Sequence, residues 1–397
     1  MIALSLIGTG NYQDVTYRDE ILNKEFKSRY FAEVVFNIYK PEKIYLVFTE
    51  EAYKKHFNEL NSLMHFEKID IPSGKTSDEI WDMFSIISEK IPSNSELLID
   101  ITHSFRSQPM LILAMAVFLR VVKEVKIKKI IYGAFDAKNE NGIAPIFDLT
   151  QFIDLIDWSY ATELFVNNGI SSLLSKILKD LHERTRVENH IFSKLKTLGD
   201  NFQNISESLT FIRPKQVSEY SSKLKSTINN INLDIEKINA SKPLKYLLNK
   251  IPVSLKNLIL SDDDNIFSDA GFILQAEIIK YYLDTQQYVQ AITLSREALV
   301  SLICKKNSLK FQKRDDRLKA EDILNEWADF LSKGIKLETF PSQVGNLWTK
   351  IREARNDINH AGMRESVSPA SKLKRNIEDY CSETIQIIRD AHQSIKS

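Results

Sequence analysis

The first 150 or so residues alternate short apolar runs with helical patterns, and this alternation restricts the fold more than any other feature of the chain. The apolar runs have the length of buried strands and are rich in Ile, Val, Leu and Phe. They are Ile2–Ile7, Lys43–Thr49, Phe66–Ile71, Glu96–Thr102 and Lys128–Gly133, with helical patterns at Ser28–Lys40, Thr76–Lys90 and Gln108–Val122. This order predicts an α/β domain with a mainly parallel sheet covered on both faces. Such sheets bind ligands beyond the carboxyl ends of their strands.

From about Asp157 the strand-like runs disappear and 3.6-residue periodicity takes over, which predicts an all-α C-terminal half. Helical patterns cover 159–197, 214–250, 271–285, 287–305, 319–333, 342–361 and 370–395, and the 271–285 and 287–305 segments suggest an antiparallel pair. Ser261-Asp262-Asp263-Asp264-Asn265 is the best candidate boundary, and its acids suit a solvated loop or a helix cap better than a metal site. We therefore expect three parts: 1–158, 159–265 and 266–397.

Composition restricts the class of protein. The 397 residues are 43% hydrophobic and 27% charged, which is ordinary for a globular protein. Lys+Arg and Asp+Glu both number 53, so any nucleic-acid contact must use a local basic patch. Cys304 and Cys381 have no metal-ligand spacing and suit a reducing compartment. The apolar run at the N-terminus is too short for a signal peptide or membrane span, so we expect a cytoplasmic protein without a membrane partner.

A polar turn follows the predicted strand Glu96–Thr102. It contains Thr102, His103, Ser104, Phe105, Arg106, Ser107 and Gln108. Pro109 suits the first turn of a helix, whose free N–H groups and dipole favour an anion. Hydroxyl groups and Arg106 could add contacts to a phosphate. The alternative is that Thr102 and Ser104 only cap the helix, and that His103 is a polar residue whose hydrogen bonds are made within the fold.

A glycine-containing turn follows the first strand. It comprises Gly8, Thr9, Gly10, Asn11 and Tyr12. The glycines allow a ligand to approach the backbone closely, and Tyr12 could stack on a base or fill a gap. The third glycine of a dinucleotide-binding fingerprint is missing and no helix clearly follows, so the turn does not indicate NAD.

A third cluster lies near the C-terminus, where Arg355 and His360 fit the pattern Arg-x-x-x-x-His. RNA cleavage without metal needs a base for the 2′-hydroxyl proton and donors for the charged phosphate, roles that suit histidine and arginine. Asn356 and Asn359 could orient the histidine or hold phosphate. Residues five apart diverge by about 140° on a straight helix, so the two converge only near a helix end, which Gly362 permits, or across two chains. The alternative is a surface arginine and a helix-terminal histidine favoured by the dipole.

Asp100-Ile101-Thr102-His103-Ser104-Phe105-Arg106-Ser107 resembles the Asp-x-Thr-His-Gly motif of CRISPR-associated Rossmann-fold (CARF) proteins, with Ser104 in place of glycine. The segments 6–12, 71–75, 132–137 and 144–150 are similar to the same family. Arg355-Asn356-x-x-x-His360, with the upstream helix 290–299, resembles a HEPN ribonuclease domain. A chain that carries both regions resembles the CARF–HEPN accessory ribonucleases of type III CRISPR systems. Nothing in 159–265 contributes to this resemblance.

The resemblance implies a Rossmann-like sensing domain that binds a cyclic oligoadenylate, with a ring of four adenylates favoured. It implies that Gly8–Tyr12 and Thr102–Gln108 hold the ring, with Gly133 and Ala134 close by. It also implies a homodimer, or a higher even oligomer, that cuts single-stranded RNA at Arg355 and His360 into 2′,3′-cyclic phosphate and 5′-hydroxyl ends. No cofactor and no metal is expected. The alternatives are a ring-sensing regulator that cuts nothing, a ring nuclease whose N-terminal site destroys the ligand, and a HEPN-class toxin.

Overall fold

The protein is described by a computed structural model that covers residues 1–103, 108–189, 194–236, 242–251, 255–261, 263–363 and 367–393. It forms two compact units, Met1–Ile156 and Asp157–Ser397. The first unit holds the sheet and the second is helical. In the described ranges no strand follows Asp148, so the predicted change from α/β to all-α is confirmed.

An eight-stranded, mainly parallel sheet forms the first unit, in the order β3-β2-β8-β7-β6-β1-β4-β5. Its strands are β1 (Ile2–Ile7), β2 (Val15–Asp19), β3 (Lys24–Ser28), β4 (Lys43–Phe48), β5 (Glu67–Asp70), β6 (Glu96–Asp100), β7 (Lys126–Gly133) and β8 (Ile143–Asp148). The run from β7 to β5 is parallel, whereas β8 pairs antiparallel with β7, and β3 antiparallel with β2. The five predicted strands are present, and β2, β3 and β8 were missed.

Helices cover both faces of this sheet, as predicted. They are α1 (Phe31–Tyr39), α2 (Glu50–Leu63), α3 (Ser77–Lys90) and α4 (Gln108–Val122). Alternate residues of β1 supply the two cores, since Ala3 and Ile7 pack with α1 and α2 while Leu4 and Leu6 pack with α3 and α4. Helix α2 was not predicted, although Thr49 caps it by accepting from the Ala52 amide at 3.3 Å.

Helix α5 (Gln151–Asn168) begins in the first unit, and the second unit begins within this helix, at Asp157. The helices that follow are α6 (Ser172–Asn189), α7 (Leu195–Thr210), α8 (Pro214–Glu236), α9 (Lys242–Leu248), α10 (Asp269–Asp284), α11 (Tyr288–Lys306), α12 (Arg314–Ser332), α13 (Thr339–Asn359) and α14 (Ala370–Gln393). The prediction of unbroken helix over 159–197 is wrong, because Gly169 (φ +70°) ends α5 and a new helix begins at Ser172.

The C-terminal helices agree closely with their predicted positions. Helix α10 packs against α11 and α14, and α12 packs against α13. Ser268 caps α10 and also donates to Asp264, so Asp264 supports a helix start, while Asp262 lies outside the described residues. Cys304 and Cys381 are buried free thiols. Among the described helices, none is long and apolar enough to cross a membrane.

Candidate functional site

Hydrogen bonds of Asp100 and Thr102 connect the end of β6 to its two neighbouring strands, β1 and β7. This carboxylate is fully buried and accepts from the Ser5 hydroxyl in β1 (2.7 Å) and from the Thr102 amide (2.8 Å). The Thr102 hydroxyl in turn accepts from the Gly133 amide at the end of β7 (2.8 Å). Burial raises the pKa of Asp100 to about 6, against the hydrogen bonds from Thr102 and Ser5 that favour its charge. Asp100 and Thr102 therefore fix the ends of these three strands relative to one another beneath the site.

Two glycines give the site its close backbone contacts. A Cβ on Gly8 would lie 2.6 Å from the carbonyl oxygen of His103, and one on Gly133 would lie 2.4 Å from the Phe31 ring. Neither position has room for any side chain. Ala134 is buried and its amide donates to the Pro145 carbonyl, so it supports the site from within the fold.

Histidines pack around Tyr12. The Tyr12 ring stacks on His103 (centroids 3.9 Å apart) and on His56 (4.8 Å apart). The Phe31 amide donates to Nε2 of His103 (3.2 Å), so this nitrogen carries no proton in the neutral ring. Burial lowers the pKa of His103 to about 4, with a smaller contribution from His56. His103 is therefore a neutral packing group at ordinary pH.

Two adjoining recesses open at the carboxyl ends of the strands. The larger has a volume of about 270 Å³ and is lined by Asn11, Tyr12, Gln13, Tyr17, Arg29, Thr102, His103, Tyr132, Gly133, Phe135 and Asp136. The smaller, of about 210 Å³, is lined by Asn11, Tyr12, Arg29, Tyr30, Lys55, His56 and Glu59. Tyr12, Asn11 and Arg29 border both, so the two form one polar cleft with cationic side chains at its rim.

Lys55 and Arg29 are site residues that the sequence reasoning missed. The exposed Lys55 ammonium donates to the Thr9 carbonyl (2.7 Å) and to Oδ1 of Asn11 (2.6 Å), which fixes the Gly8–Tyr12 turn. Arg29 pairs with Glu59. Lys55 lies on α2, and the cap at Thr49 followed by two glutamates was the signal that could have revealed this helix.

The structure brings together Gly8, Thr9, Gly10, Asn11, Tyr12, Thr102, His103 and Gly133 from the predicted ligand-binding residues. Ser104, Phe105, Arg106 and Ser107 lie outside the described residues. Gln108 is the first residue of α4. The positive end of the α4 dipole therefore lies at Gln108, and a helix start of this kind favours an anion.

The C-terminal residues lie at the end of α13. Asn359 is the last helical residue and His360 the cap, with its amide bonded to the Asn356 carbonyl (3.0 Å). The chain then turns through Ala361 and Gly362, both at positive φ, as predicted for Gly362. Asn359 and His360 are exposed, whereas Asn356 is half-buried.

Arg355 is also half-buried, and its Nε is a buried donor without a hydrogen-bond partner among the described residues. Among the residues that the structure describes, no hydrogen bond joins Arg355 to His360. A buried guanidinium nitrogen without an acceptor is costly.

Comparison with known proteins gives a match in the middle of the chain, where the sequence resemblance had nothing to offer. Residues 154–259 match the family model "CRISPR-associated protein MJ1674, second domain". CRISPR-associated protein MJ1674 of Methanocaldococcus jannaschii is 27% identical over 294 residues, which cover 73% of this chain. The aligned part covers 42% of that relative's own length.

Among solved structures, Enterococcus italicus Csm6 bound to cyclic hexa-2′-fluoro-hexa-dAMP aligns with 98% of this chain and 93% of its own. The TM-score is 0.46 and the sequence identity 10%. The sequence matches, in contrast, are specific to CRISPR-associated proteins. They confirm the resemblance of this chain to CRISPR-associated accessory proteins such as MJ1674.

Proposed function

We propose that this protein is a ribonuclease switched on by a cyclic oligoadenylate. The observation that carries the proposal is the pairing, in one chain, of a polar cleft at the strand ends with an Arg-x-x-x-x-His pattern at a helix end. We assign 1–158 to ring sensing, 159–265 to a connecting region and 266–397 to a HEPN ribonuclease domain. The CRISPR-associated relative supports a role in antiviral defence, and we propose that the protein acts in the cytoplasm.

The cleft offers what a ring of adenylates needs. Arg29 and Lys55 can contact phosphates, and the exposed amide of Asn11 can hydrogen-bond a base or a ribose. Tyr132 and Phe135 add half-buried aromatic surface. A ring with rotational symmetry suits a two-fold axis on which two copies of the cleft face each other, which is why we propose a homodimer. We favour four adenylates.

At the other site, His360 would take the proton from a ribose 2′-hydroxyl. The 2′-oxygen then attacks the adjacent phosphorus, and the bond to the 5′-oxygen of the next nucleotide breaks as that oxygen takes a proton from water. Arg355 would hold the charged phosphate through its guanidinium group. The products are a 2′,3′-cyclic phosphate and a 5′-hydroxyl. Asn356 and Asn359 would orient the phosphate or the histidine.

A ring nuclease at the N-terminal cleft is the alternative. His103 is a poor base for it, because Nε2 already accepts from the Phe31 amide and burial disfavours its protonated form. The regulator that cuts nothing is the other alternative, and both are separated from the proposal by the same assay.

The test is cleavage of a fluorescent single-stranded RNA after addition of synthetic rings of three to six adenylates, with linear oligoadenylates as controls. We expect one ring size to activate cutting and the activity to survive excess EDTA, because a base and cations carry the reaction. Ring binding without RNA cutting at any ring size would favour the regulator, and loss of the ring itself would favour the ring nuclease. Activity abolished by EDTA and restored by magnesium would reject the metal-independent mechanism.

A further inference from the structure

Arg352 lies on the same flank of α13 as Arg355. Residues three or seven positions apart on an α-helix share a side, so Arg352, Arg355 and Asn359 form one strip along the helix. Arg352 and Asn359 are exposed, while Ile351 and Ala354 on the neighbouring face are buried. The strip therefore runs along the border between solvent and core, and ends at His360.

Asn325 of α12 holds Arg352 in place. Its Oδ1 accepts from Nη1 of Arg352 (2.9 Å) and from Nε1 of Trp348 (2.9 Å). Trp348 is almost fully buried, so Asn325 is attached to a fixed group. The guanidinium of Arg296 lies 5.1 Å from the Trp348 ring and is itself paired with Glu297 and Glu321. Arg352 is thus held by a packed layer that connects α11, α12 and α13.

The charge of Arg352 is oriented but not neutralised. Asn325 is a neutral acceptor, and across the described ranges no carboxylate forms an ion pair with Arg352. By contrast, Arg296, Arg317 and Arg389 of the neighbouring helices each pair with a glutamate. A guanidinium has five N–H donors, so most of those on Arg352 stay available to a ligand.

We propose that Arg352 binds a phosphate of the RNA substrate next to the one that is cut, and that Asn325 is the residue that positions it. A single-stranded RNA that runs along the strip would place one phosphate at Arg355 and its neighbour about one helical turn away, roughly 5 Å along the axis. This inference rests on the proposed function, because it takes Arg355 and His360 as the cutting site.

The test is the salt dependence of binding to an uncleavable 2′-O-methyl RNA, measured on the full chain with the activating ring present. Loss of one phosphate contact lowers the slope of log K against log salt concentration by about 0.7 for single strands. We expect Arg352→Ala to show this change and to bind about tenfold more weakly. Arg352→Lys should keep the slope. Asn325→Asp, which retains an acceptor for Trp348 but adds a charge that neutralises Arg352, should resemble Arg352→Ala.

Lys350→Ala is the matched control, because it removes one positive charge from another face of the same helix, where Lys350 pairs with Glu383. Its slope should equal that of the wild type. Wild-type slope and affinity in Arg352→Ala would overturn the inference alone. A protein that shows the slope change but never cuts RNA would overturn the cutting mechanism and leave the Arg352 contact standing. No RNA binding by the wild type would overturn both.

Discussion

The Tyr12 ring stacks on the His103 imidazole, with the two ring planes inclined by 28° and the ring centroids 3.9 Å apart. His56 stacks on the same tyrosine, and Tyr30 meets it edge-on at 5.7 Å. Of the two roles predicted for Tyr12, stacking on a base or filling a gap, this packing favours the second. Tyr12 is the spacer between the two recesses, and Tyr132 and Phe135 are the better candidates to contact an adenine.

The His103 imidazole predicts how the stability of the first unit depends on pH. Its pKa is about 4 in the folded chain, below the ordinary value of 6.5, so the unfolded chain binds a proton first as the pH falls. The stabilisation that neutral His103 provides is present above pH 6.5 and is lost as the pH falls towards 4, by up to about 3 kcal/mol. Hydrogen exchange of peptides from β1 and β6 between pH 4 and 7 measures this change.

His103→Gln keeps an acceptor for the Phe31 amide but does not titrate, so this loss should vanish in the variant. In the variant, Asp100 then dominates the pH dependence of stability, and its contribution has the opposite sign to that of His103. Its raised pKa of about 6 gives stability that is present below pH 4 and is lost as the pH rises through 6. The protection of wild type minus that of the variant should therefore increase with pH. A difference that stays constant over this range would show that His103 does not titrate as described.

We expect His360→Ala to abolish RNA cutting and leave ring binding unchanged. The reason is that His360 caps α13 in the helical unit, whereas the cleft belongs to the sheet unit. The measurement pairs a cleavage assay with calorimetric titration of the activating ring. His65→Ala, which removes an exposed histidine in the sheet unit, is the control and should cut normally. Full cutting by His360→Ala would reject His360 as the base.

Lys55→Ala should weaken ring binding about tenfold, as expected for the loss of a charge-assisted hydrogen bond that orders a loop. Lys55 fixes the Gly8–Tyr12 turn through Thr9 and Asn11. Lys54→Ala is the matched control, since Lys54 is the adjacent residue and pairs instead with Glu50 on the exposed side of α2. Calorimetry with the activating ring should separate the two variants, and equal affinities would mean that this tether is irrelevant to binding.

Cutting should depend on a dimer. Arg355 lies within α13 and His360 at its cap, and residues five apart on a helix differ by about 140° in direction. Two facing helix ends could combine an arginine and a histidine from different chains. The measurement is specific activity at saturating ring while the protein is diluted, with the mass determined at each step. A monomer that cuts as fast per chain as the dimer would contradict the composite site.

The sequence predicted the fold where one signal dominated. Strand β1 and helix α4 have their predicted bounds, because a mostly apolar run marks each of them. Strand β2 was missed because Val15, Tyr17 and Asp19 alternate with half-buried polar residues and are followed by a charged strand that also pairs in the sheet. Helix α2 was missed because its buried face consists only of Ala52, His56 and Leu60.

The site was predictable only in part, for a different reason. Asp100, Thr102 and Gly8 stand in recognisable local patterns, so their positions could be inferred from neighbours along the chain. Lys55 touches Thr9 from 46 positions away, and Phe31 touches His103 from 72 away. Contacts of this kind exist only after the sheet has formed, and no local pattern marks them.

The hydrogen bonds from Ser5 to Asp100 and from Gly133 to Thr102 join the ends of three adjacent strands. Strand ends connected in this way move together, so this part of the site loses little conformational freedom when a ligand binds. Motion on binding is then expected in the Gly8–Tyr12 turn, which Lys55 ties to α2 rather than to the strand ends. A signal from the ligand would start in that turn, and a reporter label placed there would detect it earliest.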